Sequence, residues 1–148
     1  MKQLNFGAGK DIRKGFDNVD IEDFDFNIFP YPVAKNTFDA VYCRHVLEHL
    51  EYPKKVLNEL HRICKPNACI HIEVPHLNQE GAFSTLSHKS YFSKYSFMEL
   101  GDKFEILSIE ETPTEHFGYF IPKFMRKKLS MIIRGIFKLV IVDLRVIK

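Results

Sequence analysis

Two glycines close behind a short apolar stretch are the first residues whose types and spacing could bind a ligand. Leu4-Asn5-Phe6 is typical of a strand and runs directly into the turn Gly7-Ala8-Gly9. Glycines at such a turn let backbone amides approach a ligand closely, because no Cβ stands in the way. A second short strand, Val19-Asp20-Ile21, carries a carboxylate that can accept hydrogen bonds from the two hydroxyls of a ribose. The pair indicates a nucleotide site in outline, although Gly-x-Gly also occurs in ordinary turns.

Histidines and an acid form a second group, His45-Val46-Leu47-Glu48-His49. This order matches H-x-x-E-H, the inverted zinc-peptidase signature, in which two histidines on one helical face share a zinc ion and the glutamate acts as general base. A zinc hydrolase would need a further ligand from a distant helix. Three other potential ligands, Cys64, Cys69 and His71, lack the C-x-x-C spacing of a metal site. We therefore predict no metal site.

Size and composition favour one folded domain in a reducing compartment. The chain has 148 residues, of which 45% are hydrophobic and 14% aromatic, enough to bury a real core. Its three cysteines are odd in number and irregularly spaced, which argues against a disulfide framework and favours a cytoplasmic protein. No stretch of the sequence reaches the roughly 18 apolar residues of a membrane-spanning helix, and the first residues lack the apolar core of a signal peptide. We expect a single domain over residues 1–148.

Hydrophobic periodicity predicts strands and helices in alternation. Apolar runs and period-two alternation predict strands at residues 4–6, 19–21, 37–43, 69–74, 104–109 and 139–147. Helical spacing predicts helices at residues 44–64, interrupted near Pro53, at 94–100 after the N-cap Ser93, and at 122 to about 135. The order strand, helix, strand over residues 37–74 is that of a βαβ unit in an α/β domain.

The connections between these elements differ in length. Only 11 positions separate Gly9 from Asp20, which leaves room for at most a turn or two of a first helix. Residues 22–36 contain Phe29-Pro30-Tyr31-Pro32, whose prolines exclude a helix. Residues 76–90 form a long polar loop, which makes them a candidate lid or substrate loop.

Six short blocks follow one another in a meaningful order. They are residues 4–9, Asn18-Val19-Asp20-Ile21, Asp25-Phe26-Asn27 with Phe29-Pro30-Tyr31-Pro32, Asn36-Thr37-Phe38-Asp39, His45-Val46-Leu47-Glu48-His49, and Arg62-Ile63-Cys64-Lys65-Pro66. In this order they resemble a class I S-adenosylmethionine-dependent methyltransferase, in its small type 11-like branch. The resemblance covers residues 4–75 well and the rest more loosely, and the H-x-x-E-H residues fit it in place. It implies a Rossmann-like three-layer α/β sandwich with a mostly parallel sheet, an antiparallel final strand and a shortened first helix.

The resemblance also implies which residues hold S-adenosylmethionine. It places Gly7, Ala8 and Gly9 against the methionine part of the cofactor, and Asp20, with Ile21 beside it, at the ribose hydroxyls. Asp25 and Phe26 would lie beside the adenine, and the backbone of Cys43 would touch the cofactor at a strand end. Other roles stay open for three of them: Asp25 as a loop acid or cap, Phe26 as core packing, and Cys43 as a small buried side chain.

Methyl transfer is an in-line displacement, so the protein mainly aligns the methyl acceptor and excludes water. A base is needed only where the acceptor must lose a proton, and His45 and His88 are the histidines best placed to serve. We expect the acceptor to be a small molecule or a glycan or lipid-linked precursor. Two departures from the family pattern bear on this: Asn67-Ala68 stands in place of two glycines, and the short first connection removes part of the cofactor wall. The alternative function is therefore a catalytically degenerate binding or scaffold protein.

Charge is divided unevenly along the chain. Residues 1–115 carry 13 lysines and arginines against 18 acids, whereas residues 116–148 carry 8 against 1. Within that tail, apolar and basic residues interleave over 122–138, ahead of the last predicted strand. This stretch is either a helix packed on the sheet with its bases in water or an interfacial helix on an anionic membrane. We expect no nucleic-acid partner, because an aromatic and basic groove signature is missing elsewhere, and no nicotinamide cofactor, because Ile12 replaces the third glycine of G-x-G-x-x-G.

Overall fold

The computed structural model describes residues 1–115 and 118–148, and it contains one sheet of six strands. The strands are β1 Gln3–Phe6, β2 Asp17–Val19, β3 Phe38–Arg44, β4 Cys64–Pro75, β5 Phe104–Pro113 and β6 Phe137–Val146. The α-helices are α1 Pro53–Ile63, α2 Glu80–Ser84, α3 Lys94–Met98 and α4 Lys123–Leu129, and short 3-10 turns lie at Leu47–His49, Gly101–Lys103 and Gly118–Phe120.

The strand order is β2-β1-β3-β4-β6-β5. Strands β2, β1, β3 and β4 are parallel to one another, and β6 runs antiparallel to both of its neighbours, β4 and β5. The predicted Rossmann-like α/β fold, with a mostly parallel sheet and an antiparallel final strand, is confirmed. Because the first strands are parallel, the loops after β1, β2 and β3 open at one edge of the sheet, where ligands bind in folds of this kind.

One face of the sheet carries the apolar core. Alternate residues of β4, Ile70, Ile72 and Val74, are fully buried, and β6 contributes a matching row. Helix α1 presents apolar residues to this core at helical spacing, namely Val56, Leu57, Leu60 and Ile63. Each such side chain contributes about 1.5–3 kcal/mol when fully buried. The βαβ unit is therefore held together by one continuous apolar layer between α1 and the sheet.

The other face of the sheet is polar. The Tyr42 hydroxyl donates to Glu73 across β3 and β4 at 2.7 Å, and His71 lies 2.7 Å from Asp143 of β6. The guanidinium of Arg13 lies 3.3 Å from the centroid of the Tyr42 ring. Among the described residues the helices that join the apolar core, α1 and α3, lie on the opposite side. The structure therefore differs from the predicted three-layer sandwich on this polar face, where the described residues form no helix layer. The connections from β1 to β2 and from β2 to β3 consist of turns and a proline-containing loop, so neither supplies a helix.

Several predicted boundaries move in the structure. The predicted helix over 44–64 is a strand end, a 3-10 turn and α1, because His45 has a left-handed backbone (φ 53°) and Pro53 begins a new helix. Residues 7–16 form turns with no helix, so the predicted first helix is missing altogether from this described stretch. Strand β2 ends at Val19, which leaves Asp20 in the turn beyond it. The predicted helix over 122–135 ends at Leu129, and α2 interrupts the predicted loop over 76–90.

Candidate functional site

The glycine turn after β1 is anchored to the end of β2. The backbone N–H groups of Gly7 and Ala8 both donate to the carbonyl of Val19, at 2.8 and 3.0 Å. Gly7 and Gly9 have positive φ angles of 74° and 50°, a backbone region that glycine enters without a steric penalty. The residue types of this turn are therefore required by its backbone path, whatever it binds.

Gly7 is also in close contact with the segment that follows β3. A Cβ built on Gly7 would lie 2.2 Å from Cγ2 of Val46. The ends of β1 and β3, which are paired in the sheet, lie together at its edge. Gly9 is free of such crowding, since the nearest atom to a built Cβ is a carboxylate oxygen of Asp20 at 3.8 Å.

Asp20 is held rigidly at the mouth of this turn. Its Oδ2 accepts the backbone N–H of Gly9 at 2.5 Å, and its Oδ1 accepts that of Ile21 at 2.7 Å. A carboxylate has about four acceptor positions, so two remain after these bonds. A pair of neighbouring hydroxyls, as in ribose, matches two free acceptor positions on one carboxylate.

A cavity of about 290 Å³ opens between the ends of β1, β2 and β3. It is lined by Gly7, Gly9, Asp20, Ile21, Phe26, His45, Val46, His49 and Leu50. The structure thus brings six of the ten predicted site residues to one cavity. Glycine backbone, a carboxylate and an aromatic side chain are a donor and acceptor set that suits the polar and apolar parts of S-adenosylmethionine.

Four predicted site residues lie outside the lining of this cavity. Ala8 and Cys43 are buried, and burial, with a smaller contribution from Glu48, raises the pKa of the Cys43 thiol well above its usual range. The Asp25 carboxylate accepts the backbone N–H of Asn27 at 2.8 Å, so it caps its own turn. His88 lies in the loop after α2, where its Nδ1 contacts the carbonyl of Ala82 at 2.9 Å.

Phe26 belongs to the core and to the cavity wall together. Its ring stacks on Phe6 with centroids 4.0 Å apart, and the Tyr31 hydroxyl donates to its carbonyl at 2.9 Å. The two interpretations left open by the sequence are therefore compatible, because one edge of a packed ring can still face a ligand.

His45 and Glu48 form a pair beside the cavity. Nδ1 of His45 lies 3.2 Å from Oε1 of Glu48, and the backbone N–H of His45 donates to the carbonyl of Glu73 at 2.9 Å. Because His45 precedes the 3-10 turn and has a left-handed backbone, His45 and His49 do not form the helical pair of an inverted zinc peptidase. The H-x-x-E-H motif of the sequence therefore has no helical geometry in this fold.

Three residues that line the cavity were not predicted as site residues: Val46, His49 and Leu50. They follow β3 as the glycine turn follows β1. Their position after β3 could have predicted them, because the carboxyl ends of neighbouring parallel strands meet at one edge of a sheet.

A second cavity, of about 510 Å³, lies over the carboxyl end of β4. Its lining includes His76, Asn78, Tyr95, Lys127 and Met131. It mixes aromatic, basic and amide side chains contributed by three separate segments. This composition suits a polar organic molecule with apolar parts.

Comparison with known proteins finds a family that part of the chain resembles. Residues 6–72, a little under half of the chain, match the family described as methyltransferase domain. No curated protein sequence matches the chain.

Solved structures extend the fold of the methyltransferase domain to the whole chain. A SAM-dependent methyltransferase from Archaeoglobus fulgidus is 19% identical, with a TM-score of 0.71, over 97% of this chain and 85% of that one. An S-adenosylmethionine-dependent methyltransferase from Mesorhizobium loti is 10% identical, with a TM-score of 0.64, over 97% and 90%. The [4+2]-cyclase SpnF is 14% identical, with a TM-score of 0.65, over 99% and 74%. The family match agrees with the predicted resemblance to class I methyltransferases, and the solved structures confirm the predicted fold.

In the part of the chain that the structure describes, no helix combines the length and apolarity needed to cross a membrane.

Proposed function

We propose that this domain transfers the methyl group of S-adenosylmethionine to a small-molecule or glycan acceptor. The observation that supports this most is the cavity at the ends of β1, β2 and β3, where the glycine turn faces a carboxylate with two free acceptor positions. In a Rossmann-like sheet this edge is the one at which nucleotide cofactors bind.

Different lining residues would bind different parts of the cofactor. Gly7 and Gly9 would hold its methionine part, Asp20 its ribose hydroxyls, and Ile21 with Phe26 its adenine. When bound, S-adenosylmethionine supplies an electrophilic methyl group on a sulfonium. The chain's own contribution is to orient the acceptor and to exclude water.

His45 is the residue we propose as base where the acceptor is a hydroxyl. Its Nδ1 faces Glu48 at 3.2 Å, so a proton on Nδ1 leaves the lone pair on Nε2. A carboxylate that orients an imidazole in this way is a recurring arrangement in acid–base catalysis. His88, the other predicted base, lies outside the cavity lining.

The cavity over β4 is the proposed acceptor site. The side chain of Asn78 stabilises the wall of this cavity. Its Nδ2 donates to the carbonyls of Ser130 and Ile133 at 2.9 and 3.0 Å, and its Oδ1 accepts from the N–H of Ile136 at 2.8 Å. These bonds fix the 118–134 segment beside the cavity. Because these bonds hold only the carboxyl-terminal end of the segment, the rest of it can adapt its conformation to the acceptor.

We also propose that the 118–134 segment rests on an anionic membrane surface. Four large apolar side chains in it are more than 80% exposed: Phe120, Phe124, Met131 and Ile132. Basic residues interleave with them, and α4 buries none of its side chains. Exposed apolar groups beside lysines and arginines suit a lipid interface or a lipid-linked acceptor. The cysteines are all free, in keeping with the reducing, cytoplasmic compartment we propose.

The alternative, a binding or scaffold protein, draws on two observations. The described residues 7–16 contain no helix to back the glycine turn. SpnF, which has this fold, is a cyclase, so the fold by itself does not decide the reaction.

Calorimetric titration with S-adenosylmethionine and with its demethylated product tests the proposal. We expect binding by the native chain and about 10–100-fold weaker binding by Asp20→Asn, because a hydrogen bond to a charged group contributes about 1.5–3 kcal/mol. The matched control is Asp17→Asn, whose carboxylate pairs with Lys2 at the other end of β2. Absence of heat and of a thermal shift at millimolar ligand would instead support the scaffold.

A further inference from the structure

Glu48 is a buried acid with an unused oxygen. Its residue is 1% exposed, and Oε2 has no hydrogen-bond partner among the described residues, while Oε1 contacts only His45, at 3.2 Å. A buried carboxylate is costly unless it is paired with a cation or fully hydrogen-bonded. Something with positive charge is therefore expected at Oε2.

Two histidines next to Glu48 are oriented by backbone carbonyls. Nδ1 of His49 lies 3.3 Å from the carbonyl of Ser87, and Nδ1 of His88 lies 2.9 Å from the carbonyl of Ala82. A carbonyl only accepts, so each Nδ1 carries the proton and each Nε2 has the lone pair. An Nδ1–H bonded to a carbonyl is the usual support behind a histidine that binds a metal through Nε2.

The three side chains converge although His88 is far from the other two in sequence. One ligand atom from each of Glu48, His49 and His88 lies within 4.8 Å of the others, and the two rings meet edge to face with centroids 4.8 Å apart. The backbone N–H groups of Lys89 and Ser90 donate to the carbonyl of Glu48 at 2.7 and 3.1 Å. These two bonds hold the His88 loop against the 3-10 turn.

We propose that Glu48, His49 and His88 bind a divalent transition-metal ion of the zinc type. Two imidazoles and one carboxylate are a zinc ligand set, and three protein ligands leave a fourth position for water or a ligand oxygen. The ion sits at the rim of the cofactor cavity, because His49 also lines that cavity. It neutralises the unused oxygen of Glu48. His45, the first histidine of the sequence motif, is not a ligand, so this site differs from the zinc-peptidase arrangement.

Cobalt titration of the full chain, followed by visible absorption and calorimetry, tests the site without reference to methyl transfer. We expect about one equivalent of Co²⁺ to give intense d–d bands, and Zn²⁺ to displace it. Because each variant removes a ligand, Glu48→Gln and His88→Ala should each weaken binding by at least about 100-fold. The matched controls are Glu51→Gln, just beyond the 3-10 turn, and His61→Ala, whose ring contacts the carbonyl of Ile147.

The outcomes separate clearly. Loss of binding in Glu48→Gln, which keeps the shape of the side chain, with retention in both controls supports the site. Equal affinity in the native chain and both ligand variants overturns the proposal, as does a failure of the native chain to bind Co²⁺ more tightly than Mg²⁺. A thiolate-to-cobalt charge-transfer band would assign the ion to the exposed Cys69 and overturn it as well. Circular dichroism of each variant separates lost ligation from lost folding.

Discussion

Single residues at the edge of the sheet support the fold and also line the proposed cofactor site. Gly7 needs a positive φ and leaves no room for a Cβ beside Val46. Asp20 holds two backbone N–H groups while it keeps acceptor positions for a ligand. Residues of this kind should be sensitive to very small changes, because the folded backbone and the proposed ligand site share the same atoms.

Gly7→Ala should destabilise the fold by about 2–4 kcal/mol, the sum of left-handed strain and overpacking against Val46. Urea unfolding measures this free energy. Gly15→Ala is the matched control, since Gly15 also has a positive φ, 85°, but has no neighbour within 4 Å of a built Cβ. Val46→Ala in the Gly7→Ala background should restore part of the loss. Equal destabilisation by Gly7→Ala and Gly15→Ala would show that the Val46 contact is unimportant.

At the scale of elements, the 118–134 segment stands apart from the sheet core. It is anchored by Asn78 and by a small cluster of its own, Ile121 and Leu129 with Ile136 and Phe137. The rest of the segment exposes apolar and basic side chains together. Exposed apolar side chains beside basic ones mark the segment as a candidate interaction surface.

Co-sedimentation with phosphatidylcholine vesicles, with and without phosphatidylserine, tests the membrane proposal. We expect the native chain to prefer the anionic vesicles, and the preference to fall as salt is raised. The double variant Phe124→Ser, Ile132→Ser should bind at least about tenfold more weakly, because it removes two apolar side chains from the interface. Leu86→Ser is the control, a fully exposed apolar residue outside the segment. No preference for anionic lipid would contradict the proposal.

At the scale of the whole molecule, buried polar contacts join segments that are distant in sequence. The N–H of Asn78 donates to Nδ1 of His76, so the proton of a neutral His76 lies on Nε2, which donates to Glu111 of β5 at 3.2 Å. Lys94 of α3 adds an ion pair to the same carboxylate at 3.4 Å. One carboxylate thus links the end of β4, the start of α3 and β5.

Stability should therefore fall in acid. The hydrogen bond from His76, with help from Lys94 and against partial desolvation, lowers the pKa of Glu111 below its ordinary value of 4.5. A lowered pKa contributes stability that is complete above pH 4.5 and is lost as the pH falls through the folded value. Denaturant unfolding at a series of pH values should show a shallower acid decline for Glu111→Gln. Glu110→Gln, on the neighbouring exposed residue, should keep the native slope, and identical slopes for both variants would contradict this assignment.

Much of the fold and part of the site could be predicted from the sequence. The apolar residues alternate along β4 and recur at helical spacing along α1. Because these patterns reflect which side of each element is buried, they predicted the βαβ unit well. Six lining residues of the cofactor cavity were also predicted, because the glycine turn and Asp20 have a recognisable local chemistry. The role of each towards the cofactor stays a prediction. Helix ends were predicted poorly around His45, since a single left-handed residue changes the path of the chain.

The sequence by itself predicted the fold class, the resemblance to methyltransferases and the glycine turn, because each depends on residue types at short spacings. Only the tertiary structure decided which distant residues meet. His88 contacts His49 because the loop after α2 folds back and is bonded to the carbonyl of Glu48. The polar sheet face likewise lacks a helix layer among the described residues because of the path of two connections. Contacts between distant residues depend on the path of the loops in the folded chain, which local sequence patterns do not predict.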